Sequence, residues 1–523
     1  MARSRCCHAN AKENDLLASD QDTTLAFLGN AEPGMKRIDT HASIVFLGKE
    51  TVLKIKRAIR LPFLDYSSLV KRRAACQAEL DVNKPFAPDL YRRVIPITHG
   101  LSGLAIDGQG SPVEWAVEMK RFDETACLDR IAARTDIAPA LAEQIADAIL
   151  HAHNHATAAD GTEWLESISQ LINRNTAKFC DVDGLSQSVI DQLHRDSHAA
   201  CNAQRPCLEQ RAGVGFVRRC HGDLHLGNIT LIDRKPVLFD AIEFDPAIAT
   251  TDVLYDLAFV LMDLIHYEHR NAANVLFNRY LAQCDPSHLA ALAVLPLFLS
   301  IRAAIRAHVL FTKAEQTDHN QQIAAKAKQY FELAIQLVRP PPGGMVAIGG
   351  LSGTGKSVLA CAVAPSVGPA PGAVILRSDV IRKAMFGTAE HSRLPDSAYT
   401  TEMTKKVYNA LMSAVERIAS QGHAVVLDAA FLRDEERRAF SLTEPWALVH
   451  IGLFLRADLP VRLNRIAGRH HDASDATAIV AQMQENFDIG DVGWPVIDAG
   501  GTPEETYANV ARHLSSLVAR LGN

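Results

Sequence analysis

The chain has 523 residues, 48% of them apolar and 22% charged, with a formal net charge of −6. That length exceeds a single hydrophobic core and suits two or three globular domains, not a disordered or fibrous chain. Lys and Arg number 17 against 19 Asp and Glu from Gly343 onward, and 37 against 41 before it, so neither half has the basic surplus that nucleic-acid binding needs.

Residues 1–23 read as a loose polar leader without the apolar segment of a secretion signal. The ten cysteines are scattered, with only Cys6 and Cys7 adjacent and no C-x-x-C pair. That pattern predicts reduced thiols and a cytoplasmic location. Two strands, S-I-V-F-L and T-V-L-K-I-K-R, are predicted between Ser43 and Ile59, joined by a turn at Gly48-Lys49-Glu50. Side chains alternate along a strand, so Lys54 and Lys56 share a face. No glycine-rich loop precedes Ser43. A capping stretch, Asp65-Tyr66-Ser67-Ser68, leads into helical spacing from Leu69 to Asn83. From Ala138 to Val338 the period is helical, apart from a strand-rich piece between Val217 and Ile242. The longest apolar run there, Leu289 to Ile301, holds Pro296 and is followed by Arg302; it falls short of the roughly 18 residues of a membrane span. The run R-P-P-P-G-G at 339–344 cannot continue a helix and marks the best domain boundary. Beyond it, apolar runs at 345–350, 373–379, 423–428, 447–455 and 494–498 alternate with helical stretches. Such runs indicate a parallel sheet covered by helices on both faces.

The first chemical constellation is R-C-H-G-D-L-H-L-G-N-I at Arg219 to Ile229, followed by the strand P-V-L-F-D ending in Asp240. Kinase-like phosphotransferases use a loop aspartate facing the acceptor hydroxyl, an asparagine on one Mg²⁺ and a second aspartate on the bridging Mg²⁺. Asp223, Asn228 and Asp240 have that order and spacing. A hairpin with its turn at Asp233-Arg234-Lys235 fits between them. The strand lysine for the phosphates is Lys54 or Lys56, with Lys54 better placed, and Glu79 in the following helix is its expected partner. H-G-D-L-H-x-x-N, the downstream F-D and Y-D-L-A at Tyr255 to Ala258 resemble the aminoglycoside/choline-type phosphotransferase family. The resemblance covers about residues 24–338 and implies a bilobal α+β protein-kinase-like fold. The segment F-D-A-I-E-F lacks the family's glycine-like residue after the aspartate, and Glu243 adds a polar group there.

The second constellation is G-L-S-G-T-G-K-S. It follows an apolar strand and precedes a helical stretch, which is the context of a phosphate-binding loop. Backbone N–H groups of Gly350, Leu351, Ser352, Gly353, Thr354 and Gly355 can converge on phosphates at a helix N-terminus. Lys356 supplies a charge and Ser357 a hydroxyl for Mg²⁺. The strand V-V-L-D places Asp428 beside that loop, where it can hold the Mg²⁺ through water. Ala429 and Ala430 follow it where a motor ATPase usually carries a glutamate. Asp379 lies at the carboxyl end of another strand, where it can act as a base or cap the next helix, and Arg382 follows one turn later. Arg462, Arg465 and Arg469 share one helical face and are expected as a lid or as a solvated basic face. The stretch from Met345 onward resembles the P-loop small-molecule kinases that include zeta-toxin-like, chloramphenicol phosphotransferase-like and polynucleotide-kinase-like proteins. That resemblance implies Asp379 as base, Arg382 as substrate contact and Arg465 and Arg469 as lid.

The expectation is therefore two domains, 24–338 and 345–523, each using ATP and Mg²⁺ to phosphorylate a small-molecule hydroxyl. The alternative is that one nucleotide site is regulatory, and neither nucleic acid nor membrane is an expected partner. His151, His153 and His155 lack a recognised set of zinc ligands. His470 and His471 read as lid surface, and His225 as a packed, hydrogen-bonded side chain.

Overall fold

The computed structural model describes residues 21–40, 42–61, 64–317, 320–441, 449–469 and 473–521. They form two compact units. One takes in the chain through Ile137 with Asp147–Ile168 and Glu209–Asp263; the other takes in Ala138–Ala146, Ser169–Leu208 and everything from Leu264 on. The run at 339–344 connects a helix to a strand inside the second unit.

In the first unit, β1 (Lys36–Asp39), β2 (Ser43–Leu47), β3 (Thr51–Lys56), β4 (Tyr91–Gly100), β5 (Gly103–Ile106) and β6 (Ser111–Lys120) form one sheet, ordered β1-β2-β3-β6-β4-β5. Every pairing is antiparallel. One face buries Leu53 and Ile55 of β3 with Ile44, Phe46, Ile95 and Ile97. Against the other face lies α1 (Leu69–Asn83), capped by Ser68, whose side chain accepts the Lys71 N–H. The buried positions of α1 are Arg72, Cys76, Glu79, Leu80 and Asn83, one stripe at helical spacing that carries three polar groups inward. Gln21, placed by the sequence in the leader, is buried and binds the Lys56 carbonyl (3.0 Å) and the Ala58 N–H (2.7 Å). Downstream, β7 (Ile229–Ile232) and β8 (Lys235–Leu238) form a hairpin. Its turn places Asp233 and Arg234 at φ 50° and 64°, the left-handed pair that matches strand twist. The helix α2 (Val253–His266) follows.

In the second unit, β9 (Gly344–Gly350), β10 (Val374–Arg377), β11 (Val425–Asp428), β12 (Val449–Arg456) and β13 (Val496–Asp498) form a five-stranded sheet, ordered β10-β11-β9-β12-β13 and parallel throughout. Each expected apolar run contributes one strand. The helices α5 (Lys356–Val363) and α8 (Pro503–Leu521) pack on it through Leu359, Val363, Val510 and Leu514. The edge strand β10 is covered by α3 (Arg270–Gln283): Asn278 accepts the Ile375 N–H (2.7 Å) and donates to the Ala373 carbonyl (3.1 Å), which Asn274 also binds (3.0 Å). Covering an edge in this way satisfies backbone groups that would otherwise invite another strand. The α+β class expected for the N-terminal region and the α/β class expected for the C-terminal region are both observed.

One expectation is corrected. Pro286–Gln316 is helical throughout, with mean hydropathy 1.9, and by length and composition it is sufficient to cross a membrane. Pro296 does not break it, because it falls in the first turn of α4 (Leu295–Gln316), where a missing N–H forfeits no helical bond. The apolar window is 72% buried within the protein, as a core helix is.

Candidate functional sites

The first unit holds a cavity of about 490 Å³ lined by Lys54, Lys56, Asp240 and Glu243 together with Thr40 and Ala42 from the β1–β2 connection; Asp223 and Asn228 are not among its lining residues, which include Gly227 of the same loop. Both lysines project from β3 onto the α1 side, and the buried Glu79 joins them. Its Oε1 lies 2.7 Å from Lys54 Nζ and its Oε2 lies 2.6 Å from Lys56 Nζ. Lys54 also reaches Asp240 Oδ1 at 2.6 Å, and Lys56 reaches Glu243. The result is an alternating chain of five charges, Asp240–Lys54–Glu79–Lys56–Glu243. Burial alone would raise the Glu79 pKa, but the two ammonium groups override it and hold the carboxyl at about 2. Burial works against the charge on Lys54 as well, and the carboxylates of Asp240 and Glu79 keep its pKa well above the ordinary value. Stability from Glu79 is therefore present above the usual carboxylate range and is lost as the pH falls toward about 2. Replacing Glu79 with alanine removes the shared counter-charge of two buried cations and is expected to cost about 3–5 kcal/mol. Chemical unfolding of the full chain measures this; an unchanged midpoint would contradict it.

Asp240 adopts φ 62°, a left-handed conformation that aspartate tolerates better than most residues. This removes the need for a glycine after it. Side chains far upstream hold the strained turn. The Asp240 N–H donates to the Tyr91 hydroxyl (3.2 Å), while Asn83 accepts the Ala241 N–H (2.6 Å) and donates to the Ala241 carbonyl (3.1 Å). Sequence reasoning did not single out Asn83; the available signal was a polar residue in the buried stripe of α1.

The loop 221–228 is braced by two buried carboxylates of α2. Asp256 accepts the N–H groups of His221 (3.3 Å) and Gly222 (3.0 Å), and Asp263 accepts that of Leu226 (3.0 Å). Asn228 Nδ2 donates to the backbone carbonyl (2.9 Å) and Oδ2 (3.1 Å) of Asp223, so its Oδ1 remains a lone-pair ligand suited to a cation. His225 Nδ1 accepts the Gly227 N–H at 3.0 Å, which leaves the proton of the neutral ring on Nε2, 3.5 Å from Asp223 Oδ2. Of the histidines at 151–155, His153 approaches Asp256 (3.3 Å) and Cys220 lies nearby. Asp256 is the same carboxylate that accepts the His221 and Gly222 N–H groups, so His153 and Cys220 lie behind the loop 221–228.

In the second unit the loop between β9 and α5 turns through glycines at φ 139° (Gly350), 87° (Gly353) and 95° (Gly355). A Cβ at Gly350 would stand 2.6 Å from the Leu455 carbonyl oxygen, and one at Gly353 would stand 2.7 Å from that of Arg462. Only glycine fits at either place. Lys356 Nζ binds the carbonyls of Gly350 (2.9 Å) and Leu351 (3.1 Å). The Ser352 N–H donates to Gln484 Oε1 at 2.8 Å. The parallel register sets Asp428 beside both Ile348 and Arg377. The Ser357 hydroxyl donates to Asp428 Oδ2 at 2.6 Å, and the Arg377 guanidinium spans both, 3.1 Å from each.

Ser352, Lys356, Ser357, Asp379, Arg382 and Asp428 share the lining of a cavity of about 400 Å³. Asp379 sits in the first turn of α6 (Ser378–Met385), whose cap position belongs to Arg377. Burial raises the Asp379 pKa, the neighbouring Asp428 raises it further, and Lys356 opposes both. Arg382 is buried, donates to the Ala398 carbonyl (2.7 Å) and stacks over the Tyr399 ring. A neighbouring cavity, also about 400 Å³, runs from Gly353 and Gly355 past Val358 to Pro503.

The expected arginine face divides, because α7 (Leu459–Ala467) ends before Arg469. Arg462 is wholly buried under the loop, bound to the Ser352 carbonyl (3.3 Å) and to Glu485. Arg465 donates to the carbonyls of Thr354 (3.3 Å) and Ala499 (2.8 Å). Arg469 lines both cavities. His470 and His471 lie outside the described residues. None of the eight described cysteines forms a disulfide.

The family model of the AAA domain matches residues 345–489. Along most of its length the chain is similar to uncharacterized proteins of Mycobacterium tuberculosis and Mycobacterium bovis. Each is 25% identical over 505 residues, covering 92% of this chain and 96% of the relative. Similar solved structures include a choline/ethanolamine kinase family protein from Mesorhizobium loti, 13% identical, covering 61% of this chain and 99% of that one with a TM-score of 0.38. Another is a gluconokinase from Sinorhizobium meliloti, 23% identical, covering 35% and 97% with a TM-score of 0.26.

Proposed function

We propose that this chain is an ATP-dependent phosphotransferase with two sites. One lies in a kinase-like domain of residues 24–338 and one in a P-loop kinase domain of residues 345–523, separated by 339–344. Each passes the γ-phosphoryl group of ATP to a hydroxyl of a small molecule. The observation that carries the reading is the cavity shared by Lys356, Ser357, Asp379 and Asp428, continued beyond Asp428 by Ala429 and Ala430. A carboxylate placed to activate water is missing at those two positions, and an acceptor-sized space is present instead. This favours transfer over coupled hydrolysis.

Asp223 and Asp379 are the proposed bases. Each takes the acceptor hydroxyl proton as the new O–P bond forms and the bond to the β–γ bridging oxygen breaks, leaving ADP. Lys54 and Lys356 hold phosphate oxygens, with Glu79 orienting Lys54 and the amides of 350–355 cradling the chain of phosphates. Arg382 contacts the acceptor. Arg465 and Arg469 close over the phosphoryl group, Arg469 from the junction of the two cavities. Hard oxygen donors suit Mg²⁺, and each unit offers a set: Asn228 and Asp240 in the first, Ser357 and Asp428 in the second. Bound there, the ion supplies positive charge against the phosphates.

Because Asp379 must be ionised to accept a proton and burial raises its pKa, the acid limb of second-site activity is expected above its ordinary 3.8. A pH–rate profile for an Asp223→Asn variant, which isolates the second site, measures this. A limb at or below the ordinary value speaks against Asp379 as base. The general test is a screen of hydroxylated metabolites with γ-labelled ATP, using the full chain, Asp223→Asn, Lys356→Ala and the double variant. Label that reaches only water, or reaches product equally with the double variant, sinks the proposal.

A further inference from the structure

We propose that Arg377 is an internal competitor for the divalent cation at the second site and sets how tightly that cation is held. The inference rests on the reading that Ser357 and Asp428 hold the metal. Arg377 ends β10, directly beside Asp428 at the end of β11 in the parallel register. Its Nε donates to Asp428 Oδ2 and its Nη2 to Ser357 Oγ, each at 3.1 Å, and those two oxygens are 2.6 Å apart. The guanidinium therefore addresses the same pair of oxygens that a cation would need. A guanidinium carries only donors and stays protonated in proteins, so it cannot yield by losing its charge. A metal bound to both oxygens has to displace Arg377 or bind against its positive charge.

A second carboxylate lies on the far side of the same guanidinium. Glu390 Oε1 is 3.7 Å from Arg377 Nη1, and the Glu390 side chain is 35% exposed. Arg377 thus has an inward anchor on Asp428 and an outward one on Glu390. Metal affinity follows the balance between them. Arg377 is a positioning residue here, acting through the metal oxygens and not on the transferred group.

The experiment measures Mn²⁺ binding to the full chain with ADP present, by the electron paramagnetic resonance of free Mn²⁺. Asp240→Asn is included throughout to suppress the first-unit site. Arg377→Gln is expected to tighten Mn²⁺ by about ten-fold, the lower end of what changes in groups flanking metal ligands produce. Arg377→Lys keeps the charge and stays closer to the parent. Glu390→Gln removes the outward anchor, leaves a surface-accessible position otherwise intact, and is expected to weaken Mn²⁺ binding. Unchanged or weaker binding in Arg377→Gln, with normal unfolding behaviour, overturns the proposal. So does unchanged or tighter binding in Glu390→Gln, which remains decisive if Arg377→Gln fails to fold. Asp428→Asn separates this from the reading beneath it: if Mn²⁺ binding survives that change, the assignment of the metal oxygens has failed.

Discussion

Exchange of Asp223 for asparagine is expected to lower phosphoryl transfer at the first site by about 10²–10⁴-fold, the range general-base catalysis supplies. The substitution preserves side-chain volume and removes the charge that accepts the proton. The loop should survive it. Asn228 keeps its bond to the Asp223 backbone carbonyl (2.9 Å), and the N–H groups of His221 and Gly222 remain on Asp256. The loss should therefore appear in kcat with little change in nucleotide affinity. Measured in a Lys356→Ala background, product formation reports the first site by itself. Transfer at the parental rate there would remove Asp223 from the chemistry.

Lys356→Ala is expected to reduce second-site transfer by at least about 10²–10³-fold, the cost of deleting one preorganised group that stabilises transition-state charge. The ammonium folds onto the carbonyls of Gly350 and Leu351 at 2.9 and 3.1 Å, which keeps it at the mouth of the loop instead of in solvent. Its removal strips the loop of this side-chain cation, while the glycine-imposed backbone path stays as it is. Nucleotide affinity of the second site should fall as well, because ground-state phosphates use the same charge. Equilibrium dialysis with ADP in an Asp240→Asn background separates the two effects. Undiminished binding together with undiminished transfer would mean that the loop serves something other than phosphate.

Much of this was legible in the chain order of residues. Strict alternation in β3 set Lys54 and Lys56 on one face, and both occupy it. Glu79 pairs with both, and Lys54, the less buried of the two, also reaches Asp240. The strands β4 and β6 were not legible. Pro96 and Pro112 interrupt them, and charged residues such as Arg92, Arg93, Glu114 and Glu118 blur their alternation. Yet they complete the sheet, because buried neighbours such as Ile95, Ile97 and Ala116 pack against β3. Helical spacing put Arg462, Arg465 and Arg469 on one face, but the helix ends at Ala467 and Arg469 lies beyond it. It could not tell a buried guanidinium from an exposed one, because period reports direction around a helix and not what the helix packs against.

The amino-acid sequence by itself determined the elements whose information is local. These are the glycine-rich turn at 350–355, the apolar runs of the parallel sheet, the capping stretch 65–68 and the order Asp223, Asn228, Asp240. Tertiary structure decided the partners that lie far apart in the chain. Asn83 grips Ala241 across 158 residues, and Arg377 lies across Ser357 and Asp428. Asp256 and Asp263 turn inward to hold backbone N–H groups, and the apolar window of Pro286–Gln316 is 72% buried within the protein. Turn and strand preferences are short-range properties of each residue. The destination of a buried polar group depends on which unpaired donor or acceptor the packed fold brings beside it.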